Sequence, residues 1–119
     1  MRYALLIYAD DTPAGQVGTE GRDAALAEYA TYEAFNERYK DKIRGGEALR
    51  GVATATTVRM CGGQTLMTDG PFAETKEQLS GFYIVDCANL DEAVELAAHL
   101  PGAAGGSVEV RPVLEVDRG

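Results

Sequence analysis

The chain has 119 residues, 45% of them hydrophobic and 25% charged, a length and balance that suit one packed domain. Its net charge of −8 comes with no cluster of Lys and Arg to displace phosphate counterions, which excludes nucleic acid as a partner and disfavours anionic membrane surfaces. Cys61 and Cys87 form no CxxC pair and read as reduced thiols, no apolar run approaches a membrane span, and Met1–Asp10 lacks the longer apolar stretch and cleavage site of a signal peptide, so the expected compartment is cytoplasmic.

Tyr3-Ala-Leu-Leu-Ile-Tyr8 is a short apolar run of β-formers and predicts a buried strand. Residues 12–21 carry Pro13, Gly15, Gly18 and Gly21 and read as a loop. From Arg22 to Ile43 the pattern is helical, with Ala25, Tyr32, Phe35, Tyr39 and Ile43 on one face and Gly45-Gly46 as the stop. Ala53–Arg59 is a β-branched strand, Cys61-Gly-Gly-Gln64 a hairpin turn, and Thr65–Thr68 the returning strand. Gly81–Asp86 is a further strand. Asn89 then caps a second helix, whose first turn holds Asp91 and Glu92 and whose expected buried stripe is Leu90, Ala93, Val94, Ala97 and Leu100. Pro101 and Gly102 end it, and Val108–Val116 alternates as a last strand.

The order β-α-β-β-β-α-β predicts a ferredoxin-like α+β fold, an antiparallel sheet with two helices on one face. Both faces of the first strand are apolar: Tyr3, Leu5 and Ile7 on one, Ala4, Leu6 and Tyr8 on the other. Helices cover one face, so the second needs another cover, and the same sheet from a second copy supplies it in a two-fold dimer.

The densest chemistry lies in the connector from Asp69 to Gln78. Asp69 and Pro71 read either as a rigid turn, with Phe72 as a lid or core plug, or as a device that aims the Asp69 carboxylate into a cleft. Glu74 and Glu77 share a side if the segment makes a helical turn; two carboxylates that close can divide the roles of acid and base. Lys76 could neutralise one of them or hold an anionic substrate. Thr75 with Gln78 also fits a capping box, and a solvated charged loop explains the same residues. Tyr8 at the end of the first strand and Arg111 on the last are candidate substrate contacts, with Tyr29, Tyr32, Glu33 and Glu47 as further ones. His99 at a helix end stands alone as the chain's histidine, so neither a metal site nor a Ser-His-Asp set is expected.

The run Asp69-Gly-Pro-Phe-Ala-Glu-Thr-Lys-Glu-Gln78 resembles the signature of the DGPF subgroup of the YCII-related family. Gly45–Leu49, Thr54–Val58 and Val108–Val113 are similar to that subgroup too. The resemblance implies a dimeric ferredoxin-like α/β barrel. Some members of the broader family carry a His and Asp pair proposed as acid and base, whereas residues 1–98 here contain no histidine. Two functions are expected to compete. One is an enzyme without metal or organic cofactor that isomerises, dehydrates or hydrolyses a small organic substrate by proton transfer. The other is a non-catalytic binding or regulatory module, for which the resemblance implies an extracytoplasmic-function sigma factor as partner.

Overall fold

The computed structural model describes residues 1–10, 31–73 and 75–116. Four strands form one antiparallel sheet: β1 (Arg2–Asp10), β2 (Ile43–Ala48), β5 (Glu77–Asp86) and β6 (Ser107–Pro112), in the order β2-β5-β1-β6. Among the described residues β3 (Thr56–Cys61) and β4 (Gln64–Asp69) pair only with each other, as a separate hairpin. Helix α1 (31–38) follows the first strand, and α2 (Leu90–Ala98) and the short α3 (Pro101–Gly105) lie between β5 and β6. This is a ferredoxin-like α+β arrangement with the hairpin inserted between its second and third sheet strands. Among the described residues no helix is long and apolar enough to cross a membrane.

The period of two in β1 sets the core. Tyr3, Leu5 and Ile7 are buried and join Val85 of β5, Phe35 of α1, and Ala93, Leu96 and Ala97 of α2. Tyr32, Tyr39 and Ile43 pack against this cluster, as the helical stripe predicts, and Phe35 lies against the rings of Tyr39 and Tyr83 at 4.9 and 5.2 Å. Asn89 caps α2 by accepting the Glu92 backbone N–H at 3.0 Å. Asn89→Ala should therefore lower stability by about 1 kcal/mol, read by denaturant unfolding. An unchanged midpoint would show that the cap is not used.

Several boundaries differ from expectation, each for a physical reason. Helix α1 gives way to a turn at residues 39–42, where Ile43 N–H donates to Tyr39 O at 3.1 Å, and Gly45-Gly46 belongs to β2 rather than stopping the helix. Gly46 is there because neighbouring backbone is close: a Cβ would stand 2.6 Å from Phe82 O, and its φ of +155° suits glycine. In α2 the buried stripe is Ala93, Leu96, Ala97 and, just beyond, Leu100, while Leu90 and Val94 are exposed. The helical period was read correctly but its phase was not, since 93, 96, 97 and 100 also follow spacings of three and four. Pro101 ends α2 and occupies the first turn of α3. The last strand stops at Pro112, leaving Leu114 and Val116 exposed.

One ion pair ties α2 to the turn that precedes β2. Lys42 Nζ donates to Glu92 Oε1 at 2.5 Å, and this hydrogen bond holds the Glu92 carboxyl below its usual range. A lowered folded value contributes stability above the unfolded glutamate range, and that contribution is lost as pH falls through the folded one. Glu92→Gln should lower the melting temperature on the neutral side, meet the parent curve at acid pH where Glu92 is protonated, and so flatten the acid limb. An acid limb identical to that of the parent would remove the pair from this role.

Candidate functional site

Among the described residues a cavity of about 640 Å³ lies between α1 and the sheet. Its floor is the helix-facing side of β1, β2 and β5. Ile7 aligns with Gly81, Gly81 with Ala48, and Tyr83 with Gly46. At the two glycines the sheet presents no side chain, so α1 stands off it and space remains beneath. Gly81 is needed there, because a Cβ would meet Glu47 O at 2.9 Å. A β-bulge falls at the same level: the register shifts between Ile7 and Tyr8, and Ser80 turns its hydroxyl to donate to Ile7 O at 3.2 Å.

The polar groups of the cavity come from both layers. Tyr32 and Asn36, four residues apart on α1, share the face that looks onto it. From β5, the Tyr83 hydroxyl donates to Asn36 Oδ1 at 2.5 Å. Burial, with Tyr32 nearby, pushes the Tyr83 phenol above its usual range, so it stays protonated and acts as a neutral donor at physiological pH. Asn36 then offers amide N–H donors while its carbonyl is held. Glu47 is the carboxylate among the described lining residues, and no Lys or Arg is found among them. An anionic ligand would meet no counter-charge from these residues. A neutral molecule with hydroxyl or carbonyl groups would meet donors, a phenol and apolar walls.

Of the sequence-predicted residues, Tyr32 and Glu47 border this cavity and the other described ones lie outside it. Tyr8, Glu77 and Arg111 lie on the sheet face away from the helices: Tyr8 aligns with Ser107 and Arg111 with Ala4. Glu77 begins β5, and its Oε2 accepts from the Ser107 hydroxyl at 2.9 Å. Asp69 ends β4 at the base of the hairpin and is exposed, as is Lys76. Glu74 and Tyr29 lie outside the described residues. None of Asp69, Lys76, Glu77, Tyr8 and Arg111 is among the described residues that line the large cavity.

Residues 70–73, 75 and 76 form bends and irregular backbone rather than a helical turn. Gln78 Nε2 donates to the carbonyls of Thr75 and Ala73, at 2.9 and 3.3 Å, and the Thr75 hydroxyl donates to Glu77 O at 2.6 Å. These bonds fold the segment on itself, so Thr75 and Gln78 brace a loop instead of capping a helix. Gln78 also borders a hollow of about 80 Å³ beside Arg50 and Asp10. Phe72 is 79% exposed and is neither a core plug nor packed as a lid. His99 ends α2 with Nδ1 2.8 Å from Glu95 O, in keeping with a helix-end role.

Sequence reasoning passed over Asn36, Tyr83, Gly46 and Gly81. A signal for them existed: glycines interrupting two strand-like runs, with a tyrosine and an asparagine at helical spacing nearby.

A profile of the YCII-related domain matches residues 1–117. An uncharacterized protein from Rhizobium meliloti (strain 1021) is 41% identical over 117 residues, which make up 95% of this chain and 92% of that one. Among solved structures, the chain is similar to 5-chloro-2-hydroxyhydroquinone dehydrochlorinase from Burkholderia phenoliruptrix AC1100, in complex with 2,5-dihydroxybenzoquinone. The TM-score is 0.55 and the identity 18%, over 98% of this chain and 96% of that chain. At that identity the likeness speaks for the fold.

Proposed function

The chain belongs to the YCII-related family, and we propose that it is a cytoplasmic, dimeric protein that binds a small neutral organic molecule under α1 and moves a proton on it without a metal or organic cofactor. One observation carries this reading: the cavity of about 640 Å³ floored by Gly46 and Gly81, with the Tyr83–Asn36 pair in its wall. The volume falls within the several hundred Å³ of ordinary ligand pockets. A protonated Tyr83 can donate to a substrate oxygen as charge develops there, whereas Glu47 aligns with Phe82 and so sends its carboxylate to the other sheet face. The loop carboxylates Asp69, Glu74 and Glu77 are the rival acid/base set. Asp69 and Glu77 would serve a site outside this cavity, and Glu74 lies outside the described residues.

The dimer in this reading is the two-fold barrel, supported by the half-buried outer sheet face. There Leu6 aligns with Phe82 and Glu109, and Ala4 with Ile84 and Arg111. The test is a screen of hydroxyquinones, hydroquinones, phenols and lactones with purified protein. Thermal shift reads binding, and solvent deuterium incorporation by NMR reads proton transfer. Hydroquinones and phenols come first because they are neutral at physiological pH; hydroxyquinones, which ionise as vinylogous acids, are included because the structurally similar dehydrochlorinase is seen with one. Binding with deuterium exchange supports catalysis, and binding without it reduces the protein to a ligand-binding module. Absence of any ligand, together with specific capture of a sigma factor, would overturn the enzyme reading in favour of a regulatory module.

A further inference from the structure

The contact between Tyr83 and Asn36 fixes more than its own two side chains. The Tyr83 ring lies over Gly46, where a Cβ would stand 3.0 Å from its Cδ1, and against the Phe35 ring at 5.2 Å. So seated, it brings its hydroxyl to the Asn36 amide, with Oη 2.5 Å from Oδ1. A phenol has one proton, and here Asn36 takes it. Until charge develops on a ligand, Tyr83 turns a lone pair toward it. Asn36 turns its amide nitrogen, whose N–H groups find no acceptor among the described residues. The Ser80 hydroxyl, also at the cavity, is already engaged with Ile7 O. A donor and an acceptor thus stand side by side in the wall.

We propose that this pair is a two-point clamp for a neutral ligand that carries a carbonyl with an N–H or O–H beside it, the class of cyclic amides and α-hydroxy carbonyl compounds. The inference rests on the cavity reading above and narrows its ligand. The carbonyl accepts from Asn36 Nδ2, and the neighbouring N–H or O–H donates to Tyr83 Oη. Two bonds along one edge fix how the ligand lies in the hollow, where a single bond leaves it free to turn. Turning the Asn36 amide over would exchange the two roles, with Tyr83 as donor and Oδ1 as acceptor, and the ligand would need the same two groups. A lactone or an N-alkylated amide offers only the carbonyl and forgoes the second bond. The apolar walls, with Ile7, Ala48 and Leu49, favour the opposite order, because a ligand without N–H has less polar surface to strip of water. A preference for the N–H compound therefore reports the clamp and not the walls.

The experiment compares three flat bicyclic molecules of similar size, all neutral at physiological pH: 2-quinolone, N-methyl-2-quinolone and coumarin. Ligand-observed NMR or calorimetry gives their dissociation constants for the natural chain and for the double variant Tyr83→Phe, Asn36→Leu. The expected result is that 2-quinolone binds the natural chain about three- to tenfold more tightly than the other two, the return on one further hydrogen bond. In the double variant only the walls remain, and the preference for 2-quinolone disappears. Equal constants on the natural chain, or coumarin ahead, overturn the clamp and leave the cavity as a binding site. A preference that survives the double variant overturns it too. So does failure of all three to bind, and the screen of hydroquinones and phenols then judges the cavity separately. Should the variant fail to fold, the side-chain amide signal of Asn36 in a proton–nitrogen NMR spectrum of the natural chain decides. A shift on saturation with 2-quinolone supports the clamp, and an unmoved signal overturns it.

Discussion

Replacing Leu6 with Glu should leave a folded protomer and separate the dimer. Leu6 points to the outer sheet face and is half-buried, whereas its neighbour Leu5 points to the core and is fully buried. A carboxylate at Leu6 can reach solvent in a single protomer. Set against the apolar face of a partner it has no counter-charge in reach of its own row, which holds Phe82 and Glu109. A penalty of about 4 kcal/mol corresponds to a dissociation constant roughly a thousandfold higher. Leu5→Ala is the opposing control: it should cost about 2–5 kcal/mol of stability through the cavity it leaves in the core. Light scattering and thermal melts on the two variants separate the effects. A Leu6→Glu chain that unfolds as Leu5→Ala does, or a natural chain already monomeric, would remove the outer face as an interface.

The second large effect concerns the cavity. Tyr83→Phe removes the hydroxyl that holds Asn36 and that would donate to a ligand. With one hydrogen bond lost and its partner left loose, the best-binding compound from the screen should weaken by about 10- to 100-fold. Asn36→Leu should do the same, and the double variant should lose less than the two singles combined, because both act through one contact. Asp69→Asn, Lys76→Met and Glu77→Gln should change binding by no more than about 0.5 kcal/mol, the usual scale for surface changes away from a site. The opposite pattern, loss with Glu77→Gln and none with Tyr83→Phe, would move the site from the cavity to the loop. Because Tyr83 titrates above its usual range, the binding curve should stay flat against pH through neutrality on its account.

What was legible from sequence is what local chemistry decides. The alternation in residues 3–8 placed a strand and named both of its faces, because the strand period of two needs no partner to be read. Asn89 was a cap by its side chain and by the acids after it. Cys61–Gln64 was a turn because two adjacent glycines admit the positive φ that a tight hairpin demands. The stripe of Tyr32, Phe35, Tyr39 and Ile43 found the core side of the first helix. These local signals were enough for the α+β class, and the Asp69–Gln78 run was enough to suggest the family.

Tertiary structure decided the rest. Gly45-Gly46 reads locally as a helix stop, yet it is strand, because Phe82 O comes too close to Gly46 for any side chain, and no window of sequence contains that approach. Val94 and Leu96 are equally apolar, and only the seating of α2 on the sheet chose Leu96 for the core. The hairpin strands looked like members of the sheet because strand patterns do not state their partners. The site shows the same limit. A charged loop advertises itself in sequence, while a cavity is made by absent side chains on paired strands. Gly46 and Gly81 are 35 positions apart in the chain, and only the pairing of β2 with β5 brings them to one floor.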